Sequence, residues 1–236
     1  MINGRKLMTL TTLDKQVGIL NKRKHNNTND KQTLLRGNKM AQARTLNEKE
    51  LNLLLLYTNT RKHAARDRAM VLMTYYAGMR IGEVAATKIK DVLGIDGNIK
   101  LELNLTAEQT KGRHARTVVL ADKLRKELHT YLQTRFSTKE LIALTYSDQI
   151  NKPLFATQKR DHFDANTACY LLHMLYKGAG LENCSSHSGR RSFATKLSKS
   201  ISMRTLMELM GHRNIQTTAR YCDVTSDMKR AAVELV

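Results

Sequence analysis

The sequence has no apolar run approaching the roughly 20 residues that a membrane-spanning helix needs. The greasiest stretch, LNLLLLY at 51–57, is far too short. The amino terminus, MINGRKLMTLTTLDKQ, lacks the apolar core of a secretory signal. Only three cysteines occur, Cys169, Cys184 and Cys222, an odd number without a C-x-x-C pair. That argues against a disulfide scaffold and a structural zinc site, and fits a reducing cytoplasm. Proline occurs once, at Pro153 in the loop NKPLF. Acidic residues are the minority: 21 Asp and Glu stand against 40 Lys and Arg, a formal net charge of +19. An excess of that size points to a polyanionic partner rather than to an ordinary solvated surface. There is no Walker motif, no internal repeat and no carboxylate cluster fit for a pair of metals, so neither a metal nor a cofactor is expected.

What is present fills one sizeable domain. Residues 1–44 stand apart as a basic, Asn-rich arm with little periodicity. Two readings stay open for it, an arm that docks on DNA and a disordered solubilising tail. The folded domain is expected over 45–236. Thr45 and Glu48 have capping-box spacing ahead of a leucine-rich helix. A second helix reads through HAARDRAMVLMTYYAG, with Ala65, Met70, Met73 and Ala77 as its inner stripe and Gly78 as its cap. A third follows in RIGEVAATKI.

The period then changes to two in NIKLELNL (98–105) and RTVVLA (116–121), joined by the polar turn TAEQTKGRHA, which predicts a hairpin. Helices are expected again near 122–135, 138–147, 165–178, 188–199, 203–210 and 215–221. A last amphipathic piece, 225–236, carries Met228, Ala232 and Leu235 on one face. The fold class is mainly α with a small antiparallel β-sheet, α+β.

Six polar residues carry the chemistry: Arg80 in AGMRIGE, Lys111 at the hairpin turn, His187 and Arg190 in HSGRRSFAT, and His212 and Tyr221 in GHRNIQTTARYC. His187 and Arg190, three apart, share one face of a helix start. Arginine forks bind phosphate oxygens bidentately and keep their charge. A histidine can donate to such an oxygen or move a proton. A lysine can protonate a leaving alkoxide, and a tyrosine hydroxyl can attack phosphorus and hold it covalently. Together these types suit metal-free phosphoryl transfer. Spacing alone does not establish that the six converge.

Four segments in order, YYAGMRIGEVAATKIKDV, TKGRHARTVVL, HSGRRSFAT and LMGHRNIQTTARYCDV, resemble the motifs of the tyrosine recombinase (phage integrase) family. The resemblance runs from about residue 45 to the end. It implies the catalytic-domain fold of that family and a site-specific recombinase that cuts and rejoins DNA through a 3′-phosphotyrosyl bond, without metal or ATP. It implies roles for each residue. Tyr221 is the nucleophile, and Arg80 and Arg190 clamp the scissile phosphate. His212 donates to a non-bridging oxygen, Lys111 is the general acid, His187 assists proton transfer, and Glu83 supports the first arginine.

Lys88, Lys90, Arg113, Arg116 and Arg191 are candidate contacts to the DNA backbone, of the kind that give affinity without sequence choice. The expected partners are double-stranded DNA and further copies of the chain in a four-protomer synapse, with a host or accessory protein as a further candidate; no membrane is expected. The resemblance also implies that 225–236 is exchanged between subunits. Many family members precede this domain with a helical clamp domain, for which 1–44 is too short and polar; this reads as a small member, or as a fragment of a longer protein. Two alternatives are a catalytically inactive DNA-binding factor of the same fold and a type IB topoisomerase-like relaxing enzyme.

Overall fold

The first helix, α1 (Glu48–Asn59), starts where its side chains demand it. The computed structural model describes residues 42–157, 160–224 and 226–234. The basic arm lies almost wholly outside the described residues, as does Leu235. Asn47, not Thr45, caps α1: its side chain accepts from the Glu50 N–H at 2.9 Å, and Glu50 accepts from the Asn47 N–H at 3.0 Å. The expected Thr45–Glu48 box is thus displaced by two residues. The displacement lets Leu46 and Leu51, just before the cap and in the first turn, both be buried, a hydrophobic staple.

Helix α2 (Ala64–Tyr76) is the axis of the fold. Its residues Ala69 to Tyr75 are buried without interruption, so this stretch has no solvent face. The expected one-sided stripe is therefore incomplete: Met70, Met73 and Ala77 are buried, but so are Val71 and Leu72, while Ala65 is only half-buried. Helices α1 and α5 (Asp122–Gln133) and α8 (Ser188–Leu197) pack around it. Gly78 ends α2 with φ +58, and the ring of Phe193 fills the space that a side chain there would need.

The third expected helix is two. Helix α3 (Ile81–Ala86) stops at Thr87, and α4 (Ile89–Val92) starts after Lys88. Between them the backbone turns extended and pairs with the proline loop: Ile89 N–H donates to Lys152 and Leu154 N–H to Thr87. Strands β1 (Glu102–Leu105) and β2 (Arg116–Val119) form the hairpin, antiparallel, with Leu105 opposite Arg116. Leu103, Leu105 and Val118 face inward, as the alternation predicts. Helix α5 buries Leu124, Leu128, Tyr131 and Leu132, one helical face. Helix α6 (Thr138–Leu144) is capped by Ser137 and ends three residues earlier than expected, ahead of a 3₁₀ turn at Asp148–Asn151.

Helix α7 (Ala165–Gly178), capped by Asp164, completes the main core. A smaller core follows: Ala194 of α8 with Leu206 and Met210 of α9 (Met203–Met210), against which Phe193, Leu197, Tyr221 and Cys222 pack. Helices α10 (Ile215–Ala219) and α11 (Ser226–Val233) end the chain. The class is mainly α with one two-stranded antiparallel sheet. No helix among the described residues is long and apolar enough to cross a membrane.

Candidate active site

Arg190 sits in the first turn of α8 and is fully buried. One terminal nitrogen donates to the carbonyl of Gly78. The other lies 2.6 Å from the carbonyl of Met210 and 2.9 Å from His212 Nε2. The left-handed turn at Gly78 is therefore also an arginine anchor. The Nε of Arg190 is buried and has no hydrogen-bond partner in the protein. Burial and the charge of Arg80 pull the Arg190 guanidinium down to about 9, still protonated at neutral pH.

His212 is 7% exposed. A guanidinium can only donate, so Nε2 accepts from Arg190, and Nδ1, 3.0 Å from Thr218 Oγ1, carries the proton. Burial, then the charges of Arg190, Arg80 and Arg116, push this histidine down to about 3. It is neutral at physiological pH.

Tyr221 lies just past α10. Its ring is 5.2 Å from that of His212 and 5.4 Å from the Arg190 guanidinium, a cation–π distance. Its hydroxyl is 3.3 Å from His187 Nδ1. His187, exposed at the start of α8, is shifted down by partial desolvation and by Arg190 and Arg80. Neutral, it can accept the tyrosine proton.

Arg80 caps α3 and is held at 2.8 Å by Glu83, which is 1% exposed. The second Glu83 oxygen accepts from the Arg80 N–H at 2.9 Å and pairs with Arg116 at 2.7 Å. Burial alone would raise the Glu83 carboxyl; Arg116 and the Arg80 N–H hold it below its ordinary value. Lys111 is exposed in the hairpin turn. It lines an open pocket of about 590 Å³ with Arg80 and His212, and a neighbouring one with Arg80 and His187. The turn is pinned by Gln109, which donates to the Ala86 carbonyl at 3.0 Å and to Asp91 at 2.6 Å.

The structure thus brings Arg80, Lys111, His187, Arg190, His212 and Tyr221 to one place. Lys88 and Lys90 are exposed, as is Arg113, which has φ +52 in the turn. Two expected DNA contacts turn inward instead. The side chain of Arg116 is 9% exposed and is used by Glu83 and by the Leu209 carbonyl at 3.0 Å. That of Arg191 is 5% exposed; it pairs with Asp223 and donates to the Arg220 carbonyl at 2.6 Å. In each, an acidic side chain and a backbone carbonyl hold the guanidinium.

Sequence reasoning missed Thr218, Gln109 and Asp223. Only Thr218 left a signal, a threonine three residues before the tyrosine and so within one helical turn of it. Among the described residues, no group of three or more His, Cys, Asp or Glu is placed to hold a metal ion.

The sequence profile of the phage integrase family matches residues 44–228, the segment that holds all six residues. The chain belongs to the phage integrase family. Among similar members of known proteins, the tyrosine recombinase XerA of Thermococcus kodakarensis is 31% identical over 188 residues, covering 79% of this chain and 60% of the relative. The tyrosine recombinase XerC of Staphylococcus epidermidis is 28% identical over 173 residues, covering 72% and 53%.

A solved XerA recombinase superposes with TM-score 0.64 at 26% identity, over 81% of this chain and 64% of that one. A XerH site-specific recombinase bound to its palindromic difH substrate does so with TM-score 0.62 at 24%, over 84% and 53%; at that identity the likeness speaks for the fold alone. The fold is that of a tyrosine recombinase catalytic domain. This phage integrase chain spans between 53% and 60% of the length of the two curated relatives.

Proposed function

We propose that the protein is a site-specific DNA strand-exchange enzyme acting through a covalent phosphotyrosine. The observation that carries this is the setting of Tyr221: its hydroxyl lies 3.3 Å from His187 Nδ1, and its ring lies against the Arg190 guanidinium and the His212 imidazole, which themselves meet at 2.9 Å. Arg80 and Arg190 hold the non-bridging oxygens of the scissile phosphate. The Tyr221 oxygen bonds to phosphorus as its proton passes to His187 Nδ1. The bond to the 5′-oxygen breaks, and Lys111 supplies that oxygen with a proton.

The products are a 3′-phosphotyrosyl end and a free 5′-hydroxyl. The covalent bond keeps the energy of the broken linkage, so a second 5′-hydroxyl can reverse the reaction without ATP. His212 donates to a phosphate oxygen only when Nε2 carries a proton. The negative charge of the phosphate favours that state by raising the histidine pKa.

Double-stranded DNA is the proposed substrate. The net charge of +19 supports it, as do relatives named tyrosine recombinases. Lys88, Lys90 and Arg113, exposed on the hairpin side, are proposed to follow the backbone, with the arm at 1–44 adding affinity. Helix α11 leaves Val233 73% exposed; we read it as the element passed to a neighbouring copy within a synaptic tetramer. A cytoplasmic site of action, and an accessory protein on the DNA, belong to the same proposal.

The test uses suicide duplexes built from the repeats that flank the gene. Wild-type protein should give a covalent protein–DNA band on a denaturing gel, and Tyr221→Phe should give none. Binding without any adduct would favour a catalytically silent DNA-binding factor. Site-independent relaxation of a supercoiled plasmid would favour a topoisomerase.

A further inference from the structure

Arg116 opens β2, five residues after Lys111, and its side chain turns into the protein. One end of its fork pairs with Glu83 at 2.7 Å, and the other donates to the carbonyl of Leu209 at 3.0 Å. Those partners lie on two different helices. Glu83 belongs to α3 and holds Arg80 through both its side chain and its N–H. Leu209 is in the last turn of α9, from which the chain passes through Gly211 directly into His212.

Gly211 has φ +61, and a side chain there would collide with the Cδ of Arg116. The arginine therefore fills the space against which the His212 turn is moulded. Its charge has a second consequence. Glu83 faces two guanidiniums, so Arg80 is not neutralised by a closed pair and keeps an attraction for an incoming anion.

We propose that Arg116 is a positioning residue: its guanidinium fixes Arg80, through Glu83, relative to His212, through Leu209 and Gly211, so that both reach one phosphate. The inference rests on the strand-transfer reading of the site. It replaces a backbone contact with a brace, and the two differ in what they predict. A backbone contact contributes to affinity and to its salt dependence. A brace contributes to the rate once DNA is bound, since misplacement by about 1 Å can cost on the order of a hundredfold. Lysine would replace the fork by a single ammonium, which reaches Glu83 or Leu209 but does not span both.

The experiment compares wild type, Arg116→Ala and Arg116→Lys as full chains. Affinity for a mixed-sequence duplex is measured against salt, adduct formation on the suicide duplex is measured at saturating DNA, and the His212 ring is followed by NMR in the protein alone. A brace leaves the salt slope unchanged. It lowers the adduct rate by on the order of a hundredfold in the alanine variant and less in the lysine variant, and it moves the His212 resonances in both.

A salt slope reduced by about one, with the adduct rate at saturation intact, overturns the proposal. Should wild type form no adduct, the strand-transfer reading fails on its own, and the ring resonances decide the brace: unmoved in both variants, they refute it. Should the alanine variant not fold, the lysine variant decides, a wild-type adduct rate with unmoved resonances being the refuting result.

Discussion

Acidification should destabilise this protein through one side chain more than any other in the site. His212 is buried against Arg190 and Thr218, and its pKa falls from an ordinary 6.5 to about 3. A base whose folded pKa lies below its unfolded value costs nothing above the unfolded value. It costs progressively more as pH falls from 6.5 towards 3, because the unfolded chain takes up a proton that the native state refuses.

Between about pH 7.5 and about pH 5 the linkage amounts to about 2 kcal/mol. For a domain of this size that is about 4–8 °C in Tm. His212→Gln keeps an acceptor for Arg190 but has no proton to gain. Chemical denaturation of both proteins at the two pH values isolates the effect: the wild type should lose about 2 kcal/mol more than the variant. Equal losses would mean that His212 is hydrated or already proton-bound, and that its contact with Arg190 is not made through an unprotonated Nε2.

Two further expectations follow from the braces. Arg191→Ala removes the partner of Asp223 and a donor to the Arg220 carbonyl; since Asp223 is part-exposed and can be rehydrated, the cost should be about 2 kcal/mol rather than the full value for a buried pair, with faster proteolysis around Arg220 and no change in the salt dependence of DNA binding. Gly78→Ala forces a left-handed backbone onto an alanine and drives its Cβ into the Phe193 ring, for about 2–4 kcal/mol by denaturation; a loss below about 1 kcal/mol would show that the α2 end relaxes freely.

Elements that close on themselves were legible in the sequence. Helix α7 with its Asp164 cap and α9 with its Ser202 cap declare both ends within a few residues. The hairpin declares itself by alternation and a polar turn, and the four catalytic segments by their order. What distant partners decide was not legible. The break between α3 and α4 exists because Thr87 and Ile89 pair with the loop at Lys152 to Leu154. Periodicity in α2 suggests an inner stripe, yet neighbours bury it all round from Ala69 to Tyr75. The start of α1 shifts by two residues because Leu46 is needed in the core.

The arginines carry the same lesson into the chemistry. Arg80, Arg116, Arg190 and Arg191 look alike in a chain with a charge of +19, and each stands in a motif segment. Sorting them depends on where a few carboxylates end up: Glu83 is 33 residues from Arg116, and Asp223 is 32 from Arg191. Of the four, Arg191 has Asp223 to itself, Arg80 and Arg116 share Glu83, and Arg190 is held by carbonyls and an imidazole. Carbonyls orient a guanidinium without cancelling its charge. Three guanidiniums around one carboxylate leave a surplus of positive charge in a poorly hydrated place, where it repels itself. The proton refused by His212 and the lowered Arg190 pKa come first from burial and then from that repulsion. A phosphate bound there would relieve it, so the same crowding that weakens the protein in acid is what would make the pocket bind an anion.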